Sequence, residues 1–178
     1  NVDCTDDAKN LNISQTRNFS VEAPPNVTLL VPNNNNSTNI DDITFIYLPE
    51  DPIGFANCSL FVDNIINSSD TGIESNINNS FIVNNIPQGR HNWTVQCFDA
   101  FPDFNSFTTQ SRNFTVDTLI PNVTLISPLN DTNTLKTATF NISVNDDLDL
   151  DSILQCDLYI DNSLNQSNFN ITNGSSTT

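Results

Sequence analysis

Pro25-Asn26-Val27-Thr28-Leu29 returns 96 positions later as Pro121-Asn122-Val123-Thr124-Leu125, and that echo organises the chain. Cys58-Ser59-Leu60-Phe61-Val62-Asp63-Asn64 returns after 98 positions as Cys156-Asp157-Leu158-Tyr159-Ile160-Asp161-Asn162. Arg17-Asn18-Phe19-Ser20-Val21 returns after 95 as Arg112-Asn113-Phe114-Thr115-Val116. Near-constant spacing of unlike motifs is the mark of tandem modules. On this ruler residues 25–118 carry every motif once and read as a complete domain. Residues 1–24 match only the last strands of a preceding one, and residues 119–178 only the first two-thirds of a following one. The joints, Glu22-Ala23-Pro24-Pro25 and Asp117-Thr118-Leu119-Ile120-Pro121, carry the proline expected between domains.

Within a unit the periodicity is that of strands. Ile43, Phe45 and Tyr47 alternate with polar positions, as do Phe140, Ile142 and Val144, then Trp93, Val95 and Cys97. Clusters such as Asn33–Asn36 and Asn67–Gly72 interrupt these runs, and no stretch sustains a 3.6-residue period. The expected fold is all-β: tandem immunoglobulin-like β-sandwich repeats of about 96 residues.

Cys58 shares a face with Leu60 and Val62, and Cys97 shares one with Trp93 and Val95, so both point inward. They stand 39 positions apart, as a disulfide pinning two facing sheets would require. Free buried cysteines are the alternative, but the cysteine recurs at the same phase in the next unit, which favours one inter-sheet bridge per repeat. A bridge implies an oxidising, extracellular compartment. Neither zinc nor thiol chemistry is supported: there is no C-x-x-C, and His91 is the single histidine.

The run from Pro-Asn-Val-Thr-Leu through Cys-Ser-Leu-Phe-Val-Asp and Gly89-Arg90-His91-Asn92-Trp93-Thr94-Val95-Gln96-Cys97-Phe98-Asp99 to Arg112-Asn113-Phe114-Thr115-Val116-Asp117 resembles bacterial-type Ig-like repeats of archaeal surface proteins. The resemblance covers the chain in three pieces. It implies tandem arrays of the kind found in adhesins, sheaths and filaments.

Composition narrows the setting. The 178 residues include 5 Lys+Arg against 21 Asp+Glu, a formal charge of −16 that repels nucleic acid. No apolar run is long enough to span a bilayer as a helix. The chain has no Met and begins at Asn1, so it reads as a processed product or a part of a longer protein. Surface polarity comes from 31 Asn, 17 Ser and 19 Thr, where a cytosolic protein would use Lys and Glu.

Asn-x-Ser/Thr occurs at Asn12, Asn18, Asn26, Asn35, Asn36, Asn57, Asn67, Asn78, Asn92, Asn113, Asn122, Asn130, Asn141, Asn165, Asn170 and Asn173. Chance placement predicts about six such sites from the composition. Strand alternation written in Asn and Thr creates some of them, with Val27, Trp93 or Phe114 as the inward middle residue. It does not explain Asn35, Asn36, Asn67, Asn78, Asn130, Asn165 and Asn173, which read as loop sites. A coat of N-linked glycans explains both those and the missing Lys and Glu.

Asp147-Leu148-Asp149-Leu150-Asp151 is the one dense acidic cluster, and oxygen-rich sites of this kind suit Ca²⁺. It lacks the Gly and Glu of an EF-hand, and a solvated acidic loop is the alternative. No nucleophile–base pair offers itself, so no catalytic residue is nominated and an enzyme is not expected. His91 reads as structural.

Three functions compete: a repeat module of an extracellular filament, sheath or stalk; a spacer in an adhesin; and an accessory module of a secreted enzyme. The partners expected are copies of the chain or neighbouring repeats, head-to-tail, together with N-linked glycans. Cys4 aligns with Cys97 and Cys156 with Cys58, so each is half of a bridge. Cys156 followed by a second copy's Cys4 spans 26 positions where the complete unit spans 39, leaving 13 without a counterpart. Cys156 and a Cys4-type cysteine are expected to pair across neighbouring repeats or chains.

Overall fold

The structure, a computed structural model, describes every residue except 20, 22, 101–103, 134–135, 149–152 and 178, and all described side chains except those of 168, 176 and 177. Two short strands come first, β1 (Asp3–Thr5) and β2 (Leu11–Ile13). Nine follow: β3 (Asn26–Val31), β4 (Asn36–Thr38), β5 (Ile43–Glu50), β6 (Phe55–Val62), β7 (Ile65–Asp70), β8 (Asn79–Val83), β9 (Gly89–Asp99), β10 (Ser106–Thr108) and β11 (Arg112–Val116). The remainder are β12 (Asn122–Ser127), β13 (Asn141–Asn145), β14 (Ile153–Ile160), β15 (Ser163–Thr172) and β16 (Ser176–Thr177). No described residue is helical.

β3 to β11 make two facing sheets, β3-β5-β8 and β4-β11-β9-β6-β7, with β10 also paired to β9. This is an Ig-like sandwich. Alternation does the sorting: Ile43, Phe45 and Tyr47 of β5 and Phe81 and Val83 of β8 are buried, while Ile82 between them is exposed. Phe45 packs on Trp93 (ring centroids 5.1 Å) and edge-on to Phe114 (5.6 Å), joining the sheets. Each such ring, removed from water, contributes about 1.5–3 kcal/mol of transfer free energy. Asp63 and Asn64, at φ 52° and 64°, form the two-residue turn between β6 and β7. That left-handed pair matches the strand twist and is where Asn and Asp are tolerated.

Cys58 and Cys97 are disulfide-bonded, but the expected inter-sheet placement is corrected. They are directly opposed residues of neighbouring antiparallel strands, β6 and β9, within one sheet. Their Cα atoms are 4.1 Å apart, close to the spacing of non-hydrogen-bonded cross-strand pairs. Period-two alternation reports which face a cysteine takes. It is silent on whether its inward neighbour lies across the core or one strand over.

Beyond Pro121 the strands form a three-stranded sheet, β12-β13-β16, and a hairpin, β14-β15. Several details repeat those of the sandwich. The β3–β5 ladder is bulged between Leu29 and Val31, and the β12–β13 ladder between Leu125 and Ser127. Asp161 and Asn162 turn β14 into β15 at φ 49° and 61°, and Asp131 has φ 60° where the equivalent Asn35 has 61°. The core here is small: Ile142, Val144 and Ile171, flanked by Leu154, Cys156 and Phe169.

Candidate functional site

The same motif has opposite fates in the two regions. Val27 and Leu29 are 5% and 4% exposed, whereas the equivalent Val123 and Leu125 are 55% and 70% exposed. In the sandwich, Arg112 of β11 donates to the Leu30 carbonyl, and β9 and β10 lie over β3. After Pro121 no described strand does so, and among the described residues β14 pairs only with β15. The result is a groove of about 240 Å³ floored by Val123, Leu125, Val144, Leu154, Leu158 and Phe169, with Cys156 on its wall. Cys156 is a free, half-buried thiol. Burial, then the negative charge of Asp157, pushes that thiol up from the usual range.

At the other end of the chain, β1 pairs with β2 and with no other described strand. Cys4 lies opposite Asn12 there and is free and exposed. This hairpin repeats the β9–β10 pairing, in which Cys97 lies opposite Phe107. Phe19 and Val21 are 89% and 85% exposed, whereas the equivalent Phe114 and Val116 are 1% and 0% exposed.

Twelve of the sixteen sequon asparagines are exposed, and Asn57, Asn92, Asn141 and Asn173 are partly buried. Three that read as loop sites lie on strands instead: Asn36 on β4, Asn67 on β7 and Asn165 on β15. The tight Asp-Asn turns explain two of these, because the chain folds back at once and its polar return becomes an edge strand. Asn173 is clamped: its Oδ1 accepts from the Asp146 amide (2.8 Å) and its Nδ2 donates to the Asp146 carbonyl (2.7 Å).

Asp147 of the acidic cluster comes together with Asp117 and Asp146, one oxygen of each lying within 4.8 Å of the others. Asp149 and Asp151 lie outside the described residues. Gln88 ties the joint together. Its Oε1 accepts from the Thr118 amide (2.7 Å), and its Nε2 donates to Asp117 (3.1 Å) and Asp147 (3.2 Å). The sequence carries no signal for Gln88 or for Asp117 as a partner of Asp147, since both depend on how the joint bends.

His91 is held on every side. Nδ1 meets Asp63 Oδ2 and Nε2 meets the Pro87 carbonyl, both at 2.8 Å, and the ring lies 5.4 Å from that of Phe114. It braces the start of β9 against the β6–β7 turn, in keeping with a structural role.

No known family matches the chain by sequence, and no curated protein does. Among solved structures the chain is similar to the fibronectin(III)-like modules of Clostridium thermocellum CbhA, at 16% identity and a TM-score of 0.48, covering 82% of this chain and 78% of that one.

Proposed function

We propose that this chain is a structural repeat module of an extracellular, N-glycosylated filament, sheath or stalk protein, assembled head-to-tail, of the kind seen in archaeal surface arrays. The observation that carries the reading is the recurrence of backbone detail: bulge, left-handed turn and cysteine position return after Pro121 as they stand after Pro25. Modules that repeat to this level stack along one axis, each touching its neighbours. On this reading residues 1–24, 25–118 and 119–178 belong to three successive units. The disulfide and the exposed sequons support an oxidising, glycan-bearing environment. The Asp117, Asp146 and Asp147 carboxylates at the joint would suit a Ca²⁺ ion that stiffens the rod.

Electron microscopy and mass analysis of native material test this. Uniform rods or filaments, with glycan mass on several exposed sequons and none on Asn173, are expected. A bare polypeptide mass would overturn the glycoprotein reading. A distinct globular head on a row of modules would make the chain an adhesin spacer.

A further inference from the structure

We propose that Asn92 and Asn113 are mutually exclusive glycan acceptors: a folded molecule carries an N-linked sugar on one of them and never on both, and Asn113 is the preferred site. The inference rests on the glycoprotein reading above and adds which sequons compete.

Both asparagines belong to strand sequons whose middle residue is a core aromatic. In Asn92-Trp93-Thr94 and Asn113-Phe114-Thr115 the aromatic is buried, at 0% and 1% exposure. By alternation the asparagine before it and the threonine after it turn to the outer face of the sheet. The ladder then sets the two sites side by side. β9 and β11 are antiparallel neighbours, and Asn113 lies directly opposite Asn92. Among the described ladders no other two sequon asparagines are register partners. Directly opposed residues on one face have Cβ atoms about 4.5–5.5 Å apart. A pyranose ring with its substituents is broader than that gap, so two glycans leaving these strands in the same direction collide at their first sugars.

The surroundings rank the two sites. Asn113 is exposed, whereas Asn92 is partly buried. The Asn92 amide donates to Asp63 Oδ1 (2.9 Å), and the neighbouring His91 meets the other oxygen of that carboxylate, which holds Asn92 down against the β6–β7 turn. Asn113 is fixed through its backbone alone: its amide donates to Asn34 Oδ1 (2.8 Å), and its carbonyl accepts from the Asn35 amide (2.7 Å). Both asparagines line a hollow of about 440 Å³, together with Asn35, Arg90 and Thr115. Its volume is that of a small-ligand site. A first sugar on Asn113 that lies in this hollow covers the Asn92 side chain.

Attachment is a group transfer from a diphosphate-activated sugar donor. The asparagine Nδ2 bonds to the anomeric carbon as the C1–O bond to the diphosphate breaks. The electron pair of that bond leaves with the diphosphate, and Nδ2 gives up one proton. Once one site is filled, its glycan bars a transferase from the other Nδ2. A chain given both sugars before folding has to bring them abreast when β9 pairs with β11, which opposes the ladder and keeps such chains out of the folded pool.

The test uses the full chain secreted from an N-glycosylating host and purified with the Cys58–Cys97 bond formed. Trypsin cuts after Arg90 and Arg112, so the two sites fall on separate glycopeptides. By mass spectrometry their occupancies should sum to no more than one glycan per chain, with Asn113 taking the larger share; this reading needs no variant. Asn113→Gln should raise occupancy at Asn92 severalfold while that of the exposed Asn12 stays as it was. A sum above one, an unchanged Asn92 in the Asn113→Gln chain, or bare peptides at both positions beside glycans elsewhere overturns the proposal and leaves the glycoprotein reading intact. Glycans on no sequon at all overturn both.

Discussion

Reducing the Cys58–Cys97 bond should lower the melting temperature of the central sandwich by roughly 15–30 °C. The two cysteines close a loop of 39 positions. The chain-entropy relation for a loop of that length gives about 13 cal/mol/K, or about 4 kcal/mol at 25 °C, lost from the unfolded ensemble on cross-linking. A domain of this size shifts by about 4–8 °C per kcal/mol, which yields the range stated. Both sulfurs are buried at 0% exposure, so substitution would add a cavity contribution to the entropic one. The cleaner comparison is therefore a Cys4→Ser/Cys156→Ser chain melted oxidised and reduced, followed by calorimetry and by circular dichroism in the strand region. Packing is then nearly the same in both arms. A fall below about 5 °C would refute the argument, because it would mean that residual structure already confines the unfolded chain between Cys58 and Cys97 without the bridge.

Phe114→Ala should destabilise the sandwich by about 3–5 kcal/mol, as for other buried aromatics, whereas Phe19→Ala should leave the melting of the monomer within about 0.5 kcal/mol of the parent. Equal effects in denaturant titrations would mean that residues 1–24 already pack against the rest of the chain. In the Cys4→Ser chain, the raised Cys156 thiol should react with iodoacetamide severalfold more slowly at pH 8 than an unstructured cysteine peptide. Less of it is thiolate there, and its rate should keep climbing at pH values where the peptide's has levelled. Asp157→Asn should speed it by removing the smaller of the two causes, and a rate matching the peptide's would contradict its half-burial. Millimolar calcium should raise the melting temperature by a few degrees over EGTA, and Asp117→Asn should abolish the rise; identical melts would remove the ion from the joint.

The sequence alone determined the class of fold and the inward face of strands such as β5, β9 and β13, because period-two burial is a local signal. Phe45, Trp93, Cys58 and Cys97 could be turned inward on alternation alone, since face is set by parity along one strand. Only the tertiary structure decided that the two cysteines are neighbours in one sheet, that Asn36, Asn67 and Asn165 sit on strands, and that Asp147 meets Asp117 across the joint. Those facts depend on which strand lies beside which, and strand neighbours are chosen by packing and turn geometry far apart in the chain. The open groove beside Cys156 belongs to the same kind. Val123 and Val27 stand in identical pentapeptides, Pro-Asn-Val-Thr-Leu, and what buries one and leaves the other exposed is the strands that lie across it.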